Sequence, residues 1–473
     1  MKHSSDKRKW LVLTVIVIKM IIDGLDQSML NIALPTISAS LGVSSGAVVW
    51  AVSAYAITAS ATVLFFGRLG DIVGKTRFYM IGIAIYALST LFGGIANSFA
   101  MLVISRIIQG LGASCTMANS QGIIATVFPK EQRGKALGIY GGALSIGTLA
   151  GPTLGGIVVT YMDWQYIFLL KVPFAVAALI LGIMFFPKDD PAQKERLDYP
   201  GAFLYLMAVA PLLYSMQIGF TAGYSSIQFL SGVIVSVIAF AAFIFMQRRK
   251  PEPLLDLRIF KNPIYSVSLF TGFALFFSNS FRNIIIPFYM QGVLGTPPDV
   301  AGFYMSISPI VLILVTPISG MLSDRVGGER LAVLGQIVNL AGLMLMSTLN
   351  KDSHVMMLVV CFCIASLGTA LFQAPNNALI VANLPSNKLG IGGSVAMATR
   401  NIGMSMGVAA TTAVLYGSMS KYLGHQVTGY VSGAGHGDAF MSGMRNSLYV
   451  SEILCVCGIA ASMIRMKKFS RRE

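Results

Sequence analysis

Apolar and polar positions alternate along this chain on the scale of whole helices. Stretches of about 20 residues dominated by Leu, Ile, Val, Phe, Ala and Gly recur from end to end, separated by short polar breaks. A stretch of that length crosses roughly 30 Å of hydrocarbon as an α-helix, an element that satisfies its own backbone in lipid. Fourteen spans are predicted, at 10–36, 47–67, 78–97, 99–121, 136–160, 164–186, 200–219, 226–247, 263–292, 299–322, 331–350, 354–382, 391–416 and 443–465. Composition agrees: 55% of the 473 residues are hydrophobic, 11% are charged and the mean hydropathy is +0.73, which excludes an ordinary soluble protein. The 48 glycines and 18 prolines fall largely inside the apolar stretches, where membrane bundles use small residues for close packing and tolerate proline. The first stretch is long, follows a basic tail and has no small-residue cleavage site, so it is expected to remain as a span.

Charge changes the picture next. The net +15 would suit nucleic acid, but the basic residues sit in alternate loops: Lys7, Arg8 and Lys9; Arg68, Lys75 and Arg77; Lys130, Arg133 and Lys135; Lys188, Lys194 and Arg196; Arg248, Arg249 and Lys250; Lys467, Lys468, Arg471 and Arg472. That asymmetry is the positive-inside pattern. It predicts a multi-pass protein of a plasma or inner membrane, both termini cytoplasmic, with an even number of spans and no nucleic-acid partner. Cys115, Cys361, Cys363, Cys455 and Cys457 lie in apolar stretches and read as packing residues.

One loop occurs twice. Gly67, Asp71, Gly74 and Arg77 recur at the same offsets as Gly320, Asp324, Gly327 and Arg330. Two related halves that rock about a shared midplane are the basis of alternating-access transport. The interval exceeds six spans, so two extra spans are expected between the halves: residues 10–186 as a six-helix bundle, 187–262 as a linker with two additional helices, and 263–466 as a second six-helix bundle. A monomer is expected. Gly417 to Ser442, with His425, His436 and Asp438, reads as a solvated loop.

Ionisable groups inside a bilayer are costly and face an internal pathway or a partner. Here they are Lys19, Asp23, Asp26, Arg106, Lys171, Arg282, Arg400 and Glu452. Lys19, Asp23 and Asp26 share one helix face. At 1.5 Å of rise per residue, Asp26, Arg106, Lys171, Arg282 and Glu452 fall near one depth, and Lys19 and Arg400 lie deeper toward the inner side. Asp26 is therefore the candidate proton-binding carboxylate, with Asp23 assisting and Arg106 tuning it; a static buried ion pair is the alternative. Lys19, Lys171, Arg282, Glu452 and Arg400 are candidate substrate contacts. Five bases against three acids favour an anionic or zwitterionic substrate, less so where Lys19 pairs with Asp23. Tyr55, Met117, Phe276, Phe277, Tyr289 and Phe372 are candidate lining residues, with core packing as the alternative.

Several motifs carry a resemblance. Leu25-Asp26-Gln27-Ser28-Met29-Leu30-Asn31-Ile32-Ala33-Leu34-Pro35, the loop Gly67 to Arg77, Arg106-Ile107-Ile108-Gln109-Gly110, Gly147 to Gly156, Trp164 to Pro173, Ala374 to Asn377 and Arg400 to Gly403 occur in order. The chain resembles the major facilitator superfamily, in particular its fourteen-span drug/proton antiporter family. The resemblance implies an all-α polytopic fold, two six-helix bundles plus two extra helices. It also implies proton-coupled export of small amphiphilic compounds or drugs. Gly67, Arg68, Asp71, Gly74 and Arg77, with Asp324 and Arg330, correspond to gating loops, in which aspartate and arginine bond across helix ends. Gly147, Gly151, Pro152 and Gly155 correspond to the antiporter motif, which implies packing between the halves; the spacing itself gives one glycine face for a close partner helix. Lys171 stands where relatives usually carry a neutral residue.

No phosphate-binding loop, metal-ligand set or catalytic constellation is visible in the sequence. The expectation is a carrier rather than an enzyme, with no cofactor or metal and a proton gradient as its energy source. A carrier for an organic anion, lipid or metabolite, coupled or facilitative, and a transport-inactive membrane sensor remain the alternatives.

Overall fold

The computed structural model describes residues 2–189, 198–223, 226–250, 253–384, 389–427 and 436–469. The long helices among them are α1 (Lys2–Leu41), α2 (Trp50–Val73), α3 (Lys75–Gly94), α4 (Phe99–Val127), α5 (Lys130–Tyr161), α6 (Val172–Phe185), α7 (Tyr199–Ala222), α8 (Ile227–Arg249), α9 (Pro263–Phe288), α10 (Pro298–Met305, continued by Ile307–Val326), α11 (Gly328–Ser347), α12 (Val355–Ala382), α13 (Leu389–Leu423) and α14 (His436–Phe469). Among the described residues 13 helices are long and apolar enough to cross a membrane. The 40-residue α1 is not one of them, because Lys19, Asp23 and Asp26 interrupt its apolar run. It spans nonetheless in the middle of the bundle, with those three side chains at 0, 2 and 0% exposure. The fold is an all-α, two-bundle membrane architecture.

Helices run past several predicted ends, because polar flanks continue the helix beyond the hydrocarbon. The expected loop from Gly417 to Ser442 is shorter than predicted: α13 reaches Leu423, and His436 and Asp438 belong to the first turn of α14. There Asp438 pairs with Lys351 at 3.2 Å. Part of that stretch, 428–435, lies outside the described residues. The span predicted at 164–186 is broken: a short helix, Tyr166–Leu169, ends before α6, and Lys171 sits at the junction as the N-cap residue, two residues ahead of Pro173.

The repeat seen in the sequence is a repeat of backbone geometry. Gly74 and Gly327 have φ of 127° and 94°, the region glycine enters without a Cβ penalty. Each N–H closes the preceding helix, on Gly70 O and Ser323 O, both at 3.0 Å. Deeper in the halves, a Cβ on Gly82 would lie 2.8 Å from Gly112 O, and one on Gly335 would lie 2.8 Å from Gly368 O. The α3–α4 and α11–α12 pairs thus use glycine for the same close approach.

The halves meet along α2 and α13, where Val63 and Leu64 share a buried cluster with Val395 and Ala398, and at the end away from the chain termini. Gln291 Nε2 donates to Ile32 O at 2.9 Å, Asp299 N to Thr160 Oγ1 at 3.2 Å, and Thr153 and Ser306 hydroxyls lie 2.7 Å apart. One buried apolar cluster there joins Leu30, Ile32 and Trp164 to Phe281, Ile285 and Met290. Of the additional pair, α7 packs on α2 and α13, with Ser53 Oγ donating to Gln217 Oε1 at 3.1 Å and Tyr205 Oη to Ser60 O at 3.2 Å, and α8 packs on α7.

At the terminus-bearing end, Asp198 clasps that pair together. It accepts from Gly201 N at 2.8 Å, from Gln247 Nε2 at 2.7 Å and from Lys250, whereas Gln247 Oε1 accepts from Leu255 N at 3.1 Å. Burial disfavours the charged carboxylate, but Lys250, Gln247 and Gly201 outweigh it and hold the Asp198 carboxyl below its ordinary range. A lowered folded value means stability that is present above the unfolded aspartate value of about 3.9 and lost as pH falls through the folded one. Asp198→Asn is therefore expected to lower the melting temperature at neutral pH and to lose less than the native chain on acidification below about pH 4. Fluorescence-detected melting of the solubilised protein across pH checks this; equal acid losses in the two proteins would refute it.

Candidate functional site

α1 is placed by α5. Gly147, Gly151 and Gly155 face it: a Cβ on Gly147 would stand 2.2 Å from Ile21 O, and one on Gly155 2.9 Å from the Met29 Cα. The three glycines therefore pack within the first half. Contact between the halves, which the resemblance attached to this motif, falls on its other members. A Cβ on Gly302 would lie 2.0 Å from Pro152 O, and one on Gly156 2.4 Å from Pro298 O.

So positioned, α1 presents its charges to α4 and α6. Arg106 Nη1 donates to Asp26 Oδ2 at 2.7 Å and also to Gln109 Oε1, and its Nε donates to Ala51 O at 2.8 Å. Gln109 Nε2 donates to Asp26 Oδ1 at 3.2 Å and to Thr90 Oγ1 at 3.0 Å. Lys171 Nζ donates to the same Asp26 Oδ1. One turn back, Lys19 pairs with Asp23, its Nζ 3.8 Å from the centre of the Tyr86 ring. The Arg106 guanidinium lies 4.6 Å from the Tyr55 ring, and the Lys171 ammonium 4.8 Å from that of Phe168. Asp23 Oδ2 is buried without a hydrogen-bond partner. Lys19, Asp23, Asp26, Arg106, Gln109 and Lys171 are each no more than 2% exposed.

The eight ionisable residues named from sequence thus separate into two kinds. Lys19 and Lys171, expected as substrate contacts, join Asp23, Asp26 and Arg106 in one sealed network. Arg282 lies in the other half and is 8% exposed, held by neutral groups: Nη1 donates to Ser366 Oγ at 3.1 Å and Nη2 to Asn279 Oδ1 at 2.9 Å. Arg400 is half-buried with its guanidinium 4.5 Å from the Phe276 ring. Neither arginine has a carboxylate within ion-pair distance among the described residues. Glu452 is half-buried on α14; its Oε1 has no hydrogen-bond partner, and no described bond joins it to Arg282. Gln109 was missed as a site residue. It sits one helical turn after Arg106, and that spacing was its signal.

The first gating loop differs from the expected latch. Asp71 pairs with Lys75 at 2.8 Å on the exposed surface rather than with Arg77. Asp189, after α6, receives the Thr76 and Arg77 backbone N–H groups at 2.9 and 2.8 Å and so caps α3. Gly67 lies 3.5 Å, by its built Cβ, from Ala118, and Arg68 follows it within the last two turns of α2. In the second copy Arg330 is exposed, and the side chain of Asp324 lies outside the described residues. Glu329 and the buried Arg465 stand 3.9 Å apart at that end.

Among the described residues no group of three or more His, Cys, Asp or Glu side chains could hold a metal ion. The profile of the Major Facilitator Superfamily matches residues 16–408. The riboflavin transporter RibZ of Clostridioides difficile (strain 630) is 32% identical over 98% of this chain and 98% of its own length. The multidrug resistance protein Stp of Mycobacterium tuberculosis (strain CDC 1551 / Oshkosh) is 28% identical over 84% of this chain and 74% of its own. A bacterial homologue of the human lysosomal transporter Spinster, solved in an inward-facing and unoccupied conformation, superposes with a TM-score of 0.68 at 15% identity over 98% of both chains, a likeness of fold. With its two bundles, its repeated loop and these matches, the chain belongs to the Major Facilitator Superfamily of membrane transporters.

Proposed function

We propose that this transporter carries an acceptor-rich organic metabolite or organic anion by alternating access, coupled to protons exchanged within the sealed cluster around Asp26. The observation that carries the reading is Arg282. A guanidinium near the centre of a membrane bundle, 8% exposed and held by neutral partners alone, lacks the counter-charge that such a cation normally finds. In this reading the substrate supplies it, with Arg400 as a second cation and Arg106, Lys19 and Lys171 already committed to carboxylates. The likeness to RibZ along the whole chain favours a metabolite such as a flavin, whose carbonyl oxygens and ring nitrogens accept hydrogen bonds.

Drug/proton antiport is the second reading, favoured by the likeness to Stp and by the motifs along the chain. The closed end and the repeated terminus-side loops fit either cargo, with the loops acting as gates. Purified protein in liposomes, offered riboflavin, a panel of organic anions and a panel of lipophilic cations, separates the two. A hydrogen bond to a charged group contributes ~1.5–3 kcal/mol, so Arg282→Gln is expected to weaken transport of its cargo at least about tenfold. Transport of cations alone, indifferent to Arg282→Gln, would reject the metabolite reading in favour of the drug antiporter.

A further inference from the structure

The sealed cluster contains three cations, Lys19, Arg106 and Lys171, and two carboxylates, Asp23 and Asp26. With every group ionised it carries one surplus positive charge in a water-excluded site, where net charge is most costly. Protonating either aspartate would raise the surplus to two. The change that neutralises the cluster is loss of a proton from a base. A guanidinium is not a proton donor in proteins, which leaves the two lysines. Lys19 has a carboxylate to itself and the Tyr86 ring against it. Lys171 shares Asp26 with Arg106 and occupies the N-cap of α6, facing the positive end of that helix.

The geometry points to Lys171 as the residue that carries the exchangeable proton, an ammonium in one state of the cycle and an amine in the other. This rests on the coupled reading of the transporter and deepens it. In the step itself, which belongs to the conformation that opens the cluster, one N–H bond of the ammonium breaks, the electron pair stays on Nζ and the proton passes to the water admitted there; Asp26 and Arg106 remain as a balanced pair. Rebinding reverses the step. The groups facing Lys171 act in both directions. Asp26, Asp23 and the Phe168 ring favour the ammonium, whereas Arg106, the α6 terminus and the surplus charge favour the amine. Tyr55 and Tyr86 close the site from α2 and α3. A lysine balanced in this way responds to small changes in the Asp26–Arg106 geometry, which is what coupling to a rocking motion requires.

The test needs no substrate. Between about pH 5 and pH 9, where arginine and ordinary surface lysines stay charged, difference titration of native protein against Lys171→Arg in detergent should show a step of one proton per chain. Against Lys171→Met, which carries no proton, the same step is expected, and this variant serves if the arginine does not fold. In an Asp26→Asn background the step should move to lower pH, because the ammonium has lost its carboxylate. A flat difference, or a step unmoved by Asp26→Asn, would overturn the assignment. A flat difference beside intact, Arg282-dependent transport would remove Lys171 while leaving the transporter reading standing; a step beside absent transport of every cargo would do the reverse.

Discussion

Asp26→Asn is expected to abolish coupled transport and to destabilise the first bundle more than any other single change in the cluster. The carboxylate receives Arg106 on one oxygen and Lys171 and Gln109 on the other, with no exposure to solvent. The amide keeps the shape but removes the carboxylate that pairs directly with two cations, so the surplus in the sealed site rises. Removing one partner of a buried pair costs about 3–5 kcal/mol because the remaining charge is left uncompensated, a large share of a total stability of ~5–15 kcal/mol. Asp26→Asn/Lys171→Met removes one of those cations and is expected to recover part of the melting temperature without recovering coupled transport. Two nearby changes whose effects fail to add in this direction identify the charge balance as the cause. If the double variant melts at the sum of the two single losses, the ion network is not what holds the bundle.

The helices, their number and the halves were legible in the sequence because each rests on a local property. A span needs only a run of apolar residues, and the repeat shows as glycines that must adopt positive φ, Gly74 and Gly327. The Asp26–Arg106 pair could also be anticipated, since charge inside lipid must find charge and the two fall at one depth. What the sequence could not assign is the partner of each remaining cation. Lys171 and Arg282 look alike as isolated bases in apolar stretches, yet one is bound to a carboxylate and the other to a serine and an asparagine. That difference depends on the rotation of α6 and α9 within their bundles. The gating loop differs similarly: Asp71 has three bases within six residues, Arg68, Lys75 and Arg77, and it pairs with Lys75, one turn along. Asp189, from the linker after α6, caps the start of α3 by accepting from its first N–H groups, which the loop's own sequence did not signal. The glycine motif was read correctly as a close-approach face, but the helix that approaches is α1.

Because that helix carries the charged cluster, Gly147→Val is expected to fail where a glycine substitution about a turn and a half earlier on α5 does no harm. A Cβ at Gly147 would lie 2.2 Å from Ile21 O and 2.9 Å from the Gly24 Cα, both backbone atoms that cannot rotate aside. The reciprocal contact is equally tight, a Cβ on Gly24 falling 2.5 Å from Leu144 O. Either helix must therefore retreat. Overpacking of this kind costs ~1–3 kcal/mol for a small excess and more for valine, whose branches widen the clash. At Gly141 and Gly142 a Cβ meets nothing within 4 Å, so Gly142→Ala gains the ~1 kcal/mol by which alanine exceeds glycine in a helix. Gly151→Ala should fall between them: its Cβ would meet Ser28 Oγ at 1.7 Å, which can turn away at the loss of its bond to Gly24 O, and Ser28 Cβ at 2.7 Å, which needs a small shift of α1. The functional consequence follows from position. Ile21 and Gly24 bracket Asp23 and lie just before Asp26, so a retreat of α1 lengthens the 2.7 Å bond to Arg106 and disturbs the charge balance at Lys171. Melting temperature and proton-driven uptake should both fall in the order Gly142→Ala, Gly151→Ala, Gly147→Val. A Gly147→Val protein that melts and transports like the native chain would show that α1 has room to move, and that its register against α5 does not set the geometry of the site.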